Sequence, residues 1–259
     1  MNLRKHYLAG CLSIALAAPG GAFAQEQGQS LESAANDPTA SITAYQFSDI
    51  YTPSYHNSTA DGNTLQFRMA YPFRLGDLNN IFRITVPYIS DSPSGASGLS
   101  DITIFNLATF DRSWGRFGVG AVALLPTGAS GLSTEKWGLG PAAGFVAQQP
   151  WGSLGLFNQN IFTVAGKSSF PDVNISIIQP ILNASLDNGW SIGTSEMTIT
   201  YDWDRNEFIS LPLGVAVKKL HRFDKTPVQF SLSYEHNFYD KSVAPKDTLN
   251  FTVKLLVPR

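Results

Sequence analysis

Two histidine sites raise the question of chemistry first. His56-Asn57-Ser58 puts a base two residues from a hydroxyl, and His236 follows Glu235. Acyl transfer needs the base within hydrogen-bond reach of its nucleophile and a third group to orient it. Adjacent residues on a strand face opposite sides, so Glu235 does not orient His236, and sequence proximity alone makes no dyad at His56. Metal chemistry fares no better. His6, His56, His221 and His236 are scattered, and His6 lies in the amino-terminal leader. Asp187-Asn188-Gly189, and Asp202 with Asp204, lack the acidic spacing of a calcium loop and read as Asx turns. Gly118–Gly120 and Gly138–Gly144 precede no helix, which excludes a phosphate-cradling loop. No catalytic residue, metal site or cofactor is expected.

The charged residues that remain are Arg68, Arg83, Glu196, Glu235 and Lys254, each set in an alternating segment. In the stretch 65–75 the apolar residues Leu65, Phe67, Met69, Tyr71, Phe73 and Leu75 occupy every second position, with Arg68 between them. After Gly76-Asp77-Leu78-Asn79-Asn80 the alternation resumes as Phe82, Ile84, Val86 and Tyr88, with Arg83 between. Successive strand side chains point to opposite faces, so this is a hairpin with one apolar and one polar face.

The chain opens with Arg4 and Lys5, an apolar run from Tyr7 to Ala18, a Pro19-Gly20-Gly21 break and Ala22-Phe23-Ala24. That order is a secretory signal peptide spanning residues 1–24, cleaved after Ala24. Leu8-Ala9-Gly10-Cys11 imitates a lipoprotein box, but no adequate apolar region precedes it. Of 18 Lys and Arg residues, Arg4 and Lys5 fall in the signal, leaving 16 against 20 Asp and Glu, and the single Cys is lost as well. No disulfide is then possible, and no basic stripe points to nucleic acid. Past the signal no apolar run approaches the ~18–20 residues of a membrane helix, so any membrane span must be made of strands. Residues 25–40, rich in Gln, Glu, Ser and Asn, are expected to form a flexible periplasmic leader.

From Ser41 the chain reads as strands at 41–51, 64–75, 81–90, 101–110, 116–125, 139–149, 153–165, 173–186, 190–203, 208–219, 227–239 and 248–257, twelve in all. Even strand numbers, lengths near ~9–11 residues and alternating short and long connections characterise bacterial outer-membrane barrels. The short connections are expected at 76–80, 111–115, 150–152, 187–189 and 221–226. The longer ones, at 52–63, 91–100, 126–138 and 166–172, are rich in Gly, Ser and Thr. Trp114, Trp151 and Trp190 fall at one set of strand ends and Trp137 and Trp203 at the other, as two interfacial girdles require. The expected fold class is all-β, a transmembrane antiparallel up-and-down barrel over residues 41–259.

Alternation assigns faces. Ile209, Leu211, Leu213, Val215 and Val217 should point outward, as should Val228, Phe230, Leu232 and Tyr234. So should Leu249, Phe251, Val253, Leu255 and Val257, and Met197, Ile199, Tyr201 and Trp203. A lipid-facing Arg or Lys at the midplane costs about 2–4 kcal/mol, which sends Arg68, Arg83, Glu196, Glu235 and Lys254 to the lumen. The segments 101–110, 153–165 and 173–186 are apolar on both faces and resist assignment.

Leu124-Leu125-Pro126-Thr127-Gly128, followed by Trp137-Gly138-Leu139-Gly140-Pro141, resembles an outer-membrane barrel family named for the MetA pathway of phenol degradation. Gln179-Pro180-Ile181-Leu182-Asn183 with Asp187-Asn188-Gly189-Trp190 is similar to a second piece of that family. Leu211-Pro212-Leu213-Gly214, Pro227-Val228, Gln66-Phe67-Arg68 and Tyr71-Pro72-Phe73 fit other strands. The resemblance covers residues 41–259 and implies an outer-membrane transporter associated with the degradation of aromatic compounds. Many outer-membrane barrels end in Phe as an assembly signal; this chain ends Leu256-Val257-Pro258-Arg259. The expected function is passive diffusion of small, hydrophobic or aromatic solutes, with outer-membrane lipids, the solute and the barrel-assembly machinery as partners. The alternatives are a structural or sensing barrel without transport and a barrel lipid hydrolase, although the H-x-S-N-G pattern of such phospholipases is absent.

Overall fold

In the computed structural model, residues 31–257 are described. The signal peptide, Cys11, the first leader residues and Pro258-Arg259 lie outside them. After a short helix α1 (Leu31–Ala35) the chain is strand throughout: β1 (Thr43–His56), β2 (Gly62–Leu75), β3 (Leu78–Asp91), β4 (Gly98–Leu99), β5 (Ile102–Arg112), β6 (Gly115–Leu125), β7 (Lys136–Gln149), β8 (Gly152–Gly166), β9 (Asn174–Ser185), β10 (Trp190–Thr194), β11 (Ile199–Asp202), β12 (Glu207–Ser210), β13 (Pro212–Phe223), β14 (Thr226–Asn237) and β15 (Ala244–Val257). β10 and β11 together make one stave and β12 and β13 another, and β4 is an appendage of β3, so the wall is a closed antiparallel barrel of 12 staves. Closure runs from Thr43 opposite Val257 to His56 opposite Ala244.

At one end of the barrel four of the turns are two residues long, for instance Gly76-Asp77, where Gly76 takes φ 60°. The fifth connection there is the Asp187–Gly189 3-10 turn. At the other end the connections are longer, which matches the alternation read from the sequence. The β2–β3 hairpin pairs Leu65 with Tyr88 through to Leu75 with Leu78, so Leu78, Asn79 and Asn80, expected in the connection, belong to β3. Its outward residues Leu65, Tyr71 and Tyr88 are exposed, and so are Phe47, Leu139, Leu182, Leu213, Leu232 and Phe251 around the wall. All five tryptophans are exposed on the outer surface at strand ends.

Two glycines show how tightly the wall bends. A Cβ on Gly120 would sit 1.9 Å from the Asn106 carbonyl oxygen, and one on Gly140 would sit 2.0 Å from that of Asn160. No larger residue allows the neighbouring strand so close.

The wall is interrupted along one line. β9 pairs with β10 only through 183–185 and with β11 only through 175–178, so the segment between has no ladder partner on that side. Pro180 and Pro212, at the two flanks of the interruption, have no N–H to donate. Thr194 Oγ1 patches part of the gap, accepting from Leu182 N at 3.1 Å and donating to Pro180 O at 3.2 Å. The break also corrects the face assignment. Met197, expected outward, is 5% exposed, and its sulfur accepts a hydrogen bond from Gly214 N at 3.3 Å. In β12 the exposed residue is Phe208, edge-on to Tyr201 at 5.1 Å between ring centroids, in place of Ile209. The register shifts between Thr200 and Tyr201, and one extra residue on a strand flips every side chain beyond it.

Residues 31–40 depart from the flexible leader read from composition. Ala35, Ala40 and Ile42 pack with Leu256 in a buried cluster, and most of the segment is enclosed. A polar sequence can be held in this way when the barrel interior, rather than water, supplies its hydrogen-bond partners.

Candidate functional site

The lumen is the site that the fold creates, and its contents follow from the strand faces. Twelve strands about 4.8 Å apart and tilted by about 40° close on a backbone radius of roughly 12 Å. Side chains then leave space for about one helix, whose diameter is about 10–12 Å.

The leader occupies part of that space, held by inward-facing residues of several strands. Lys254 Nζ on β15 donates to Ala35 O at 2.9 Å, and Gln229 on β14 donates to Asn36 Oδ1 at 3.3 Å. Ser33 donates to Gln148 on β7 at 2.5 Å. Arg116 on β6 donates to Thr39 O at 3.2 Å, lies 3.8 Å from Asp37 Oδ2 and is 2.6 Å from Asp111 Oδ1. Asp37 in turn accepts from Thr39 N and Oγ1, which fixes the turn into β1.

A belt of charge lies against the leader. Arg68 Nη1 on β2 reaches across to Glu196 Oε2 at 2.6 Å, and Gln46 Nε2 on β1 donates to the same oxygen at 3.1 Å. Lys254 Nζ stands 3.7 Å from Glu196 Oε1. Arg68 also donates to Thr85 Oγ1, and Lys218 Nζ on β13 to Asn183 Oδ1 at 2.6 Å. Glu196 belongs to the break between β10 and β11, where freedom from the ladder lets its side chain enter the lumen. Arg68, Arg83, Glu196 and Lys254 line one cavity of about 90 Å3 together with Lys218. Glu235 is outside that lining, close to Gly214 on the neighbouring strand, so the structure brings together four of the five charged residues singled out in the sequence.

Arg83 is held differently. Its guanidinium carbon lies 4.2 Å from the Phe105 ring centroid and 5.5 Å from that of Phe157. Cation–π contacts of this kind are worth about 0.5–2 kcal/mol each. The two rings belong to the opposite sector of the lumen. There Phe105, Leu107, Val122, Leu124, Ala142, Val146, Phe157, Ile161 and Ile181 form a buried cluster with Val173, Ile175 and Ile177 against it. These residues come from β5 to β9 and the residue just before β9, and three of those strands, β5, β8 and β9, are the ones whose sequences are apolar on both faces. One face meets the outside and the other fills the lumen. The interior is therefore split into a charged half and an apolar half. Lys218 and Asn183 were not singled out in the sequence; the inward register of β13, alternating with exposed Val215 and Val217, was the available signal.

The residues that raised the question of catalysis lie at the end of the barrel with the longer connections. His56 Nε2 is bonded to Asn237 O at 2.7 Å, and Ser58 Oγ accepts from Ala60 N. His236 Nδ1 is 2.8 Å from Asp247 Oδ1, and Asp247 also accepts from Tyr234 and Ser54. Among the described contacts neither histidine is bonded to a serine hydroxyl. Asp202 Oδ1 accepts from Asp204 N and Arg205 N, the Asx turn expected there, and Asn188 takes φ 59° in its own turn.

No protein-family model matches the sequence, and no curated protein is significantly similar to it. Among solved structures, the barrel is similar to an outer membrane channel from Pseudomonas putida F1, with TM-score 0.60 and 16% identity over 83% of this chain and 94% of that one. It is more distantly similar to outer membrane phospholipase A from Escherichia coli, with TM-score 0.43 and 10% identity over 83% of this chain and 90% of that one. At 16% identity the likeness to the channel is one of fold, and it places the chain among barrels built like those of the bacterial outer membrane.

Proposed function

We propose that this protein is an outer-membrane channel for small solutes, exported by cleavage after Ala24 and inserted by the barrel-assembly machinery. The observation that carries the reading is the divided lumen. A closed barrel with an exposed apolar exterior encloses an ionic belt on one side and an apolar wall on the other. Such an interior suits a small solute with one polar end and an apolar or aromatic body. That solute class agrees with the resemblance to the family named for the MetA pathway. The likeness of fold to a known channel supports the same reading.

In this reading Arg68, Arg83, Glu196, Glu235 and Lys254 bias what passes, and residues 31–40 narrow the path. Twelve staves fall between the packed eight-stranded barrels and the open porins. The test is conductance of the full chain in a planar bilayer, beside a chain lacking residues 25–40. We expect small discrete steps from the first and larger ones from the second. Arg68→Glu should shift the reversal potential in a salt gradient toward cations. A folded barrel that gives no steps and no liposome flux, with or without residues 25–40, overturns the channel reading. It would leave the second one, a filled barrel without transport, which the apolar cluster inside β5 to β9 favours.

A further inference from the structure

Arg83 is a half-buried cation whose enclosed Nε has no hydrogen-bond partner, and among the described residues no carboxylate lies within ion-pair distance of it. A guanidinium does not escape by losing its proton, because its affinity for the proton is too high. Phe105 and Phe157, in contact with each other, pack against it from one side, but π contacts leave the enclosed Nε without an acceptor. Glu196, the anion nearest in the belt, is already taken by Arg68 and Lys254.

The cavity as a whole carries the same imbalance. Arg68, Arg83, Lys218 and Lys254 line it against two carboxylates, Glu196 and Asp37, and Asp37 is turned to Arg116. Even with both carboxylates counted against these four cations, two positive charges are left uncompensated around a space of about 90 Å3. Buried charge of one sign calls for a counter-ion.

We propose that this cavity binds a small organic monocarboxylate, with its carboxylate on the N–H edge of Arg83 and its short apolar body against Ala70, Ile181, Ala216 and Leu256. The planar guanidinium fork matches a carboxylate, and Lys218 and Lys254 add charge from the same lining. Phosphate would leave oxygens facing alanine and leucine without donors, and chloride would leave the apolar lining unused. The inference deepens the channel reading by naming a solute class and depends on that reading only for the claim that the bound anion is also transported.

The experiment is titration calorimetry of the folded, detergent-solubilised full chain with sodium propionate, and with sodium chloride and sodium phosphate as comparisons. One saturable propionate site per barrel is expected, with chloride and phosphate at least about 10-fold weaker. Arg83→Gln should weaken propionate binding by about 10-fold or more, the scale of one lost charge-assisted hydrogen bond. The exposed-loop variant Arg205→Gln should leave it unchanged. Should Arg83→Gln fail to fold, Lys218→Gln serves in its place with the same expectation, since its amide still reaches Asn183. Absence of saturable binding overturns the proposal, as does equal affinity for chloride or phosphate, or propionate binding indifferent to the lumen substitutions. The measurement involves no membrane transport, so a barrel that conducts nothing can still bind, and one that conducts can fail to.

Discussion

Replacing Glu196 by Gln removes the one carboxylate that Arg68, Lys254 and Gln46 share. The Arg68–Glu196 contact is 2.6 Å long, and the two side chains are 18% and 33% exposed. At an effective dielectric of about 20, unit charges at that separation attract by roughly 6 kcal/mol. Desolvation of both groups takes back most of this. The loss measured on removing one partner of such a buried pair is about 3–5 kcal/mol, because the other charge is stranded. The partial exposure here and the amide that Gln keeps for Arg68 and Gln46 place the expected cost near the lower end, about 3 kcal/mol. The assay is a double-mutant cycle read by urea unfolding of the barrel in lipid vesicles, with Glu196→Gln, Arg68→Met and both together. The double variant should recover part of the loss, for a coupling of at least about 1.5 kcal/mol. A coupling under about 0.5 kcal/mol, within the error of additivity, would refute the argument that the belt is held by this pair.

Two further substitutions probe the wall and the rim. Gly120→Val would drive its Cβ into the Asn106 carbonyl oxygen, now 1.9 Å from that position, so the folded fraction by heat-dependent gel mobility should fall, with a stability loss of about 2 kcal/mol or more. A variant as stable as the parent would show that the β5–β6 approach is not fixed by glycine. At the rim, burial would raise the Asp101 carboxyl, but donation from Thr134 N at 2.7 Å, from its Oγ1 at 2.5 Å and from Gly128 N at 3.0 Å outweighs it and holds the group below the usual carboxylate range. A depressed folded-state value stabilises above the ordinary value near ~4 and is lost as pH falls below it. Amide hydrogen-exchange protection at Gly128 and Thr134 should therefore decline from pH 6 to about 3 in the parent, and Asp101→Asn should abolish that pH dependence. Unchanged protection across that range would contradict the assignment.

The sequence carried the wall well. Alternation in Leu65–Leu75 and again through Tyr88 is local physics: a strand turns each side chain by half a revolution, so an outside of apolar residues writes itself as period two. Strand count, turn positions and the tryptophan ends derive from the same signal. The break from Ser195 to Thr198 reads in sequence as part of a single strand, because a bulge changes the face of the residues beyond it without leaving a compositional mark. Met197 departs from the expected alternation because it lies in that break, and Ile209 because the register shifts beside it. The hazard was visible at Pro180 and Pro212, which cannot donate to a ladder.

Which residues meet inside was decided by the closed barrel alone. Arg68 and Glu196 are 128 positions apart, and only the closure of β1 on β15 and the crossing of the lumen bring them to 2.6 Å. The apolar faces of β5, β8 and β9 were legible as apolar but not as inward, because period two cannot separate two greasy faces. The leader's polarity reads as solvated, since composition reports what a segment would do in water. Inside the barrel, Lys254, Arg116 and Gln229 supply the hydrogen bonds that water would have made. The sequence determined a wall with an inside and an outside; tertiary structure decided what fills the inside, because that depends on contacts between residues far apart in the chain.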